Sequence, residues 1–211
     1  MIRLVVDPET PEQSALDRAA EAIRHAGVVA LPTDTLYGLA VDPASDEAVR
    51  RLFAAKGRGG DRAVPLIAAD LEQVIEQLGA LSPLASSLAE RFWPGPLTLL
   101  VLAPPRLVAE VSGGTGRVGV RVPAHQVARG LCRTCGHILT ATSANPSGEP
   151  APADPDAVAA SLGLVIDVLL DAGKTTGGLP STIVDVSGAV PQVIREGVIA
   201  WDEVRSCLRH S

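Results

Sequence analysis

Apolar residues fall along this chain in short runs, and the spacing between them alternates between two periods. Residues 28–31 form a short continuous apolar run, and the apolar-rich runs 2–6, 64–68, 97–102, 118–122, 138–142, 165–170, 182–186 and 192–194 predict further short strands of a largely buried sheet. Between them the apolar positions recur at helical spacing, as at Leu16, Ala19, Ala20 and Ile23. That period predicts helices from Thr10 to Gly27 and over 46–55, 70–78, 82–92, 123–131, 154–162 and 201–208. Thr10 before Pro11, and Ser82 before Pro83, read as N-caps with proline in the first turn. Strands and helices interleave without an internal repeat or a Ser/Gly linker. The expectation is a single α/β domain over 1–211, with a twisted mixed sheet flanked by helices and no extra C-terminal domain. The Pro/Ala-rich piece 150–155 reads as a stiff loop inside it.

Composition narrows the function classes. Hydrophobic content is 46% and aromatic content only 2%, so the core rests on Leu, Val, Ile and Ala. No run of eighteen apolar residues occurs, which predicts no membrane-spanning helix. Arg3 and Asp7 bring charge too early for a secretory signal, so a cytoplasmic protein is expected. The net charge of −6 argues against an extended, non-specific grip on nucleic acid, though a local basic cleft fits. Three cysteines suit a reducing compartment. Cys132 and Cys135 have metal-knuckle spacing but no second ligand pair, so they read as ordinary thiols and no protein-held metal is expected.

Five polar constellations carry candidate chemistry. The run 139–148 is a buried strand ending in hydroxyls, an amide and a Pro/Gly turn, with Ser143 and Asn145 two apart. Thr33, Thr35 and Tyr37 alternate directly after a strand, so their hydroxyls face one side of extended backbone. Lys56 and Arg58 lie at a helix end and flank a glycine, a pattern suited to phosphate. Ser181 and Thr182 open a strand, and Arg195 follows one. Gly173-Lys174-Thr175 lacks the earlier glycine of a phosphate loop, because Val168 stands there. There is no nucleophile elbow, so covalent hydrolytic catalysis has little support.

In this order, these pieces resemble the YrdC-like family, the threonylcarbamoyl-AMP synthases, from about Leu16 to Ile199. Arg91 to Thr98 and Gly119 to Pro123 fit the same pattern. Each piece is weak, but the ordered set is specific. The resemblance implies a YrdC-like fold with a concave basic groove. It implies a nucleotidyltransferase that converts L-threonine, bicarbonate and ATP into threonylcarbamoyl-AMP and pyrophosphate. The product would serve threonylcarbamoyladenosine synthesis at position 37 of tRNA, through a downstream tRNA threonylcarbamoyl transferase complex.

By the same resemblance, Lys56, Arg58, Arg117, Ser143, Asn145 and Arg195 would face ATP. Thr33, Tyr37, Arg121, Ser181 and the backbone at Ala141 would hold threonine, with Arg121 on its carboxylate. Mg²⁺ would accompany the phosphates, with few direct protein ligands. Lys56 and Arg58 are expected as charge stabilisers, with no covalent nucleophile required. Two departures stand out. Gly59 and Gly60 lengthen the stretch after Arg58, which suggests a lid, and Ala151 replaces a common serine. Two other readings are a double-stranded RNA or tRNA-binding module with weak RNA contact, and a carbamoyl-adenylate handling domain. The scarcity of aromatics and the negative charge weigh against the RNA module.

Overall fold

The structure, a computed structural model, describes residues 1–57, 59, 62–188 and 190–208. The chain order is β1 (Ile2–Val5), α1 (Gln13–Arg24), β2 (Val29–Leu31), β3 (Gly38–Ala40), α2 (Asp46–Lys56), β4 (Leu66–Ile67), α3 (Leu71–Leu78), α4 (Pro83–Phe92) and β5 (Leu97–Leu102). A 3₁₀ turn (Ala109–Ser112) precedes β6 (Arg117–Arg121), α5 (Gln126–Cys135), β7 (Leu139–Thr140), β8 (Thr142–Ser143), α6 (Pro155–Leu162), β9 (Val168–Asp171), β10 (Thr182–Asp185), β11 (Gln192–Arg195) and α7 (Trp201–Leu208).

The β-structure forms two mixed sheets, a division the apolar runs alone did not show. One has the order β1-β9-β2-β3-β8, the other β11-β10-β5-β6-β4-β7. The expected strand 138–142 is the reason they sit together. Its first half, β7, pairs antiparallel with β4 in the second sheet, while its second half, β8, pairs antiparallel with β3 in the first. Ala141 lies at the crossing, where its N–H donates to Pro65 O at 2.8 Å. Thr140 fastens the junction. Its hydroxyl accepts from Val41 N at 2.9 Å, and its own N–H donates to Val41 O at 3.1 Å. A buried hydroxyl can therefore be satisfied inside an otherwise apolar core.

Small aliphatic residues fill the space between and around the sheets, as the low aromatic content requires. One cluster runs from Val28, Ala30 and Leu39 to Leu66, Val120 and Ile138. The predicted face of α1 is buried, with Leu16, Ala19, Ala20 and Ile23 against Val127, Leu131 and Cys132 of α5. A third cluster joins Leu88 of α4 to Leu97, Val184 and Val204 of α7. The expected cap Ser82 is used, and Ser45, Asp70 and Asp154 cap their helices in the same way, each side chain accepting a first-turn N–H.

Three boundaries moved for identifiable reasons. Helix α1 starts at Gln13, because Asp7 captures both the N–H and hydroxyl of Thr10 and takes it out of the capping role. Helix α5 starts later, with the His125 side chain as its cap, and runs on to Cys135. Residues 38–40 form a strand after the polar loop, since β3 closes a hairpin on β2 with Leu31 opposite Gly38.

Candidate active site

The two sheets leave a cavity of about 710 Å³ at their junction. Four of its walls come from chain segments the fold forces together. The β2–β3 loop supplies Thr33, Thr35 and Tyr37, and the crossing strand supplies Ala141, Thr142 and Ser143. Strand β6 ends there in Arg121, and the entry to β10 and end of β11 bring Ser181 and Arg195. The segment leading to Pro65 is held by a backbone bond from Val64 N to Val111 O at 2.9 Å. It passes so close to Gly113 that a Cβ there would lie 2.7 Å from Ala63 N, and Gly113 also has φ +57°.

Thr33 is 3% exposed and its hydroxyl is fully engaged at the loop. It donates to Leu36 O at 2.7 Å and lies 3.1 Å from the Thr35 hydroxyl. Tyr37 lines the cavity, but its hydroxyl is committed elsewhere. Its hydroxyl donates to Gly173 O at 2.7 Å and accepts from Ala172 N at 3.3 Å. Burial pushes that phenol well above its ordinary range. Tyr37 thus shapes the wall with its ring and ties the loop to residues 172–173.

Arg121 is 7% exposed and lies at the cavity wall, with Asp34 beside it at 3.1 Å. The contact is one of charge without aligned hydrogen bonds, because neither Asp34 carboxylate oxygen nor Arg121 Nη1 has a hydrogen-bond partner among the described residues. Burial pulls the guanidinium pKa down and Asp34 pulls it back up. Across the cavity, Arg195 donates to Ser181 O at 2.8 Å and contacts the Ser181 hydroxyl at 3.3 Å. Arg195 is exposed as a residue, yet its head is partly desolvated there; that burial first, and repulsion from Arg121 second, lower its pKa. Ser181 also shares a hydrogen bond with Thr98 at 2.8 Å.

Lys56 is 2% exposed and sits behind the wall. Its ammonium donates to Ser143 O and Asn145 O, each at 2.6 Å, and to Asn145 Oδ1 at 3.1 Å. Asn145 in turn donates to Glu149 O at 2.6 Å, so this trio shapes the turn that follows β8. Arg117 pairs with Asp185 and is not among the cavity residues. Arg58 lies outside the described residues, as do Gly60 and Asp61 of the expected lid. The cavity therefore gathers Thr33, Tyr37, Arg121, Ala141, Ser143, Ser181 and Arg195, with Lys56 and Asn145 immediately behind. Sequence reasoning singled out neither Asp34 nor Thr98 as a site residue. An acid set between two hydroxyls at a strand end was the available signal for the first; strand alternation in β5 was the signal for the second.

Residues 21–197 match a family model described as Telomere recombination, with the name Sua5/YciO/YrdC. The chain belongs to the Sua5/YciO/YrdC family. Among its relatives is a protein named threonylcarbamoyl-AMP synthase from Pyrococcus abyssi, 35% identical over 200 residues, covering 95% of this chain and 59% of that protein. A putative threonylcarbamoyl-AMP synthase from Mycobacterium tuberculosis is 36% identical, covering 96% of this chain and 92% of that one. The crystal structure of P. abyssi Sua5 complexed with L-threonine superposes with a TM-score of 0.93 at 35% identity, covering 99% of this chain and 61% of the other. The chain thus spans about three fifths of the Pyrococcus protein and nearly all of the mycobacterial one.

In this Sua5/YciO/YrdC chain no helix among the described residues is long and apolar enough to cross a membrane. Among the described residues no three His, Cys, Asp or Glu side chains gather to hold a metal ion. The acid at the cavity, Asp34, already faces a guanidinium. The donor set at this wall is cationic and hydroxylic, which is the chemistry of an anion receptor.

Proposed function

We infer that this protein is an L-threonylcarbamoyladenylate synthase. It joins L-threonine, bicarbonate and ATP into threonylcarbamoyl-AMP and pyrophosphate, the first step of threonylcarbamoyladenosine formation in tRNA. The observation that carries the reading is one cavity with two guanidinium groups, Arg121 and Arg195, and a hydroxyl-lined wall between them. Support comes from relatives named for that activity and from the threonine-bound structure with the same fold.

Three anions have to meet in such a site. At an effective dielectric near 20, two unit charges ~4 Å apart repel by about 4 kcal/mol. In the proposed arrangement Arg121 takes the threonine carboxylate, with Thr33, Ser181, the Tyr37 ring and the Ala141 backbone bounding the amino acid. Arg195 and Ser143 face the nucleotide phosphates, joined by Arg58. Lys56 acts with Asn145 by holding the Ser143 turn in place. Arg117, paired with Asp185, would reach the nucleotide only by leaving that partner.

The threonine amine attacks bicarbonate, forming an N–C bond and releasing water. The resulting carbamate oxygen then attacks the α-phosphate, and the bond to pyrophosphate breaks. Neither step needs a protein nucleophile; orientation and charge neutralisation carry the rate. Mg²⁺ is proposed as a companion of ATP, carried on its phosphates. The product would pass to a tRNA threonylcarbamoyl transferase complex, which puts the reaction in the cytoplasm.

Purified protein supplied with ATP and bicarbonate should release pyrophosphate only when L-threonine is added. Arg195→Ala should lower that release at least tenfold while keeping the fold. Release that is equal without threonine would point to another carbamoyl chemistry and defeat this reading. Tight tRNA binding at ~0.2 M salt with no ATP turnover would favour an RNA-binding module instead.

A further inference from the structure

We propose that Asp34 is the positioning residue of the anion receptor: its charge holds the Arg121 guanidinium in the cavity wall and leaves that group's N–H donors free for a carboxylate. The inference rests on the reading of Arg121 as the contact for the threonine carboxylate.

A buried ion pair ordinarily closes with aligned hydrogen bonds, since each unmade one is costly inside a protein. Here the two groups stand 3.1 Å apart, with side chains 11% and 9% exposed, and that closure has not happened. Among the described residues, both Asp34 oxygens and Arg121 Nη1 are buried without a hydrogen-bond partner. Such a charge contact fixes where the guanidinium sits while leaving its planar fork uncommitted. An incoming carboxylate can then form the bidentate pair that Asp34 does not make.

The backbone around Asp34 is fixed from outside the loop. Thr176 Oγ1 donates to Asp34 O at 2.8 Å, and Thr175 Oγ1 donates to Thr35 O at 3.0 Å. Gly177 N donates to the same Thr35 oxygen at 2.9 Å. These bonds hold the two successive carbonyls that follow the Asp34 Cα and so fix the backbone from which the carboxylate projects. Thr33, one residue earlier, is locked onto Leu36 O. The segment 175–177 therefore acts as a brace for Asp34. Shifting the carboxylate by one methylene should be enough to let the pair close or the arginine drift.

The test compares the whole protein with Asp34→Glu, which keeps the charge and moves it, and Asp34→Asn, which removes it. Calorimetric titration with L-threonine and with ATP, melting temperatures, and a crystal structure of Asp34→Glu are the readouts. The expected result for Asp34→Glu is a melting temperature near that of the parent, a tenfold or greater loss of threonine affinity, and ATP affinity within about twofold. Arg121 is expected to have moved in the crystal. Unchanged threonine affinity, or equal losses for threonine and ATP, overturns the proposal. Failure of both variants to fold assigns Asp34 to stability alone and also overturns it. Should the parent protein bind no threonine, the functional reading falls. The crystal then decides this point alone: a displaced Arg121 supports the role of Asp34, and an unmoved one refutes it.

Discussion

Lys56 reaches Asn145 twice: its ammonium donates to the Asn145 carbonyl at 2.6 Å and to the side-chain Oδ1 at 3.1 Å. The same nitrogen donates to Ser143 O, so one buried cation gathers both ends of a three-residue turn. Replacing it with Met leaves these carbonyls buried and unpaired, at about 1–3 kcal/mol for each one not rescued by water. Lys56→Met should therefore lower the melting temperature and abolish pyrophosphate release together. Lys56→Arg should rescue neither fully, because a planar fork does not fit where a compact ammonium meets several oxygens. Differential scanning calorimetry alongside the pyrophosphate assay checks this. A stable Lys56→Met protein lacking only activity would show that the turn does not need the cation.

Gly197 lies where the chain returns past the start of β10. A Cβ at that position would lie 2.1 Å from Pro180 O and 2.8 Å from Ser181 O. Both are backbone atoms, which cannot swing aside as a side chain can. Gly197 N also donates to Thr182 Oγ1 at 3.0 Å, the hydroxyl that donates to Ile199 O at 2.6 Å. Gly197→Ala should therefore push Ser181 out of register with Thr98 and cost at least about 1–3 kcal/mol. Urea unfolding should show the loss, and threonine affinity should drop with it. Intact affinity in the destabilised variant would separate Ser181 from the binding site.

His125 caps α5 by accepting the Val127 N–H at 3.3 Å on Nδ1, which requires that nitrogen to be unprotonated. Burial lowers its pKa below 6.5, against the opposing pull of Asp34 and Glu9. The unfolded chain then binds more protons than the folded one between the depressed value and 6.5, so stability rises with pH across that window. Acidifying from above pH 6.5 through the depressed pKa should lower the melting temperature. His125→Asn, a good cap that does not titrate, should flatten the change. A melting temperature whose pH slope is the same in both proteins would rule out His125 as its source.

Much of this architecture was legible in the chain, for reasons that differ by element. The apolar-rich runs located β1, β2, β5, β6, β10 and β11 to within a residue at each end, while β9 starts three residues later than expected, at Val168. The expectation of burial fails for β1 and β11, which lie at sheet edges and are mostly exposed. Ser82 signalled its helix through capping chemistry, which is local. What sequence could not supply was partnership. Residues 138–142 read correctly as extended, but their two halves pair with different sheets, and that choice is made by β3 and β4 far away in the chain. The polar positions Thr33, Arg121, Ser181 and Arg195 were identifiable as a set only through family resemblance, and the cavity that unites them follows from the sheet junction. Lys56 carried a charge that read as ligand-facing; its burial behind Ser143 is a tertiary fact that no local pattern encodes.

The cysteines offer a last test of how the fold sets chemistry. Helix α5 continues through both Cys132 and Cys135, so the pair that resembles a metal knuckle in sequence sits on one helix against α1. Cys132 is fully buried, with Sγ 3.6 Å from Ile67 O, and burial drives its pKa far up. Burial likewise pushes Cys135 up to about 12. The thiolate is the reactive species, and at pH 8 a thiol with that pKa is ionised only about one part in ten thousand. An aromatic disulfide reagent at pH 8 should leave Cys132 untouched in the native protein and modify Cys135 slowly. In denaturant both should react at the rate of a free thiol. Mass spectrometry after timed quenching reads the sites directly. Rapid native labelling of Cys132 would mean that α5 opens from the β4 and α1 surfaces far more often than its packing implies.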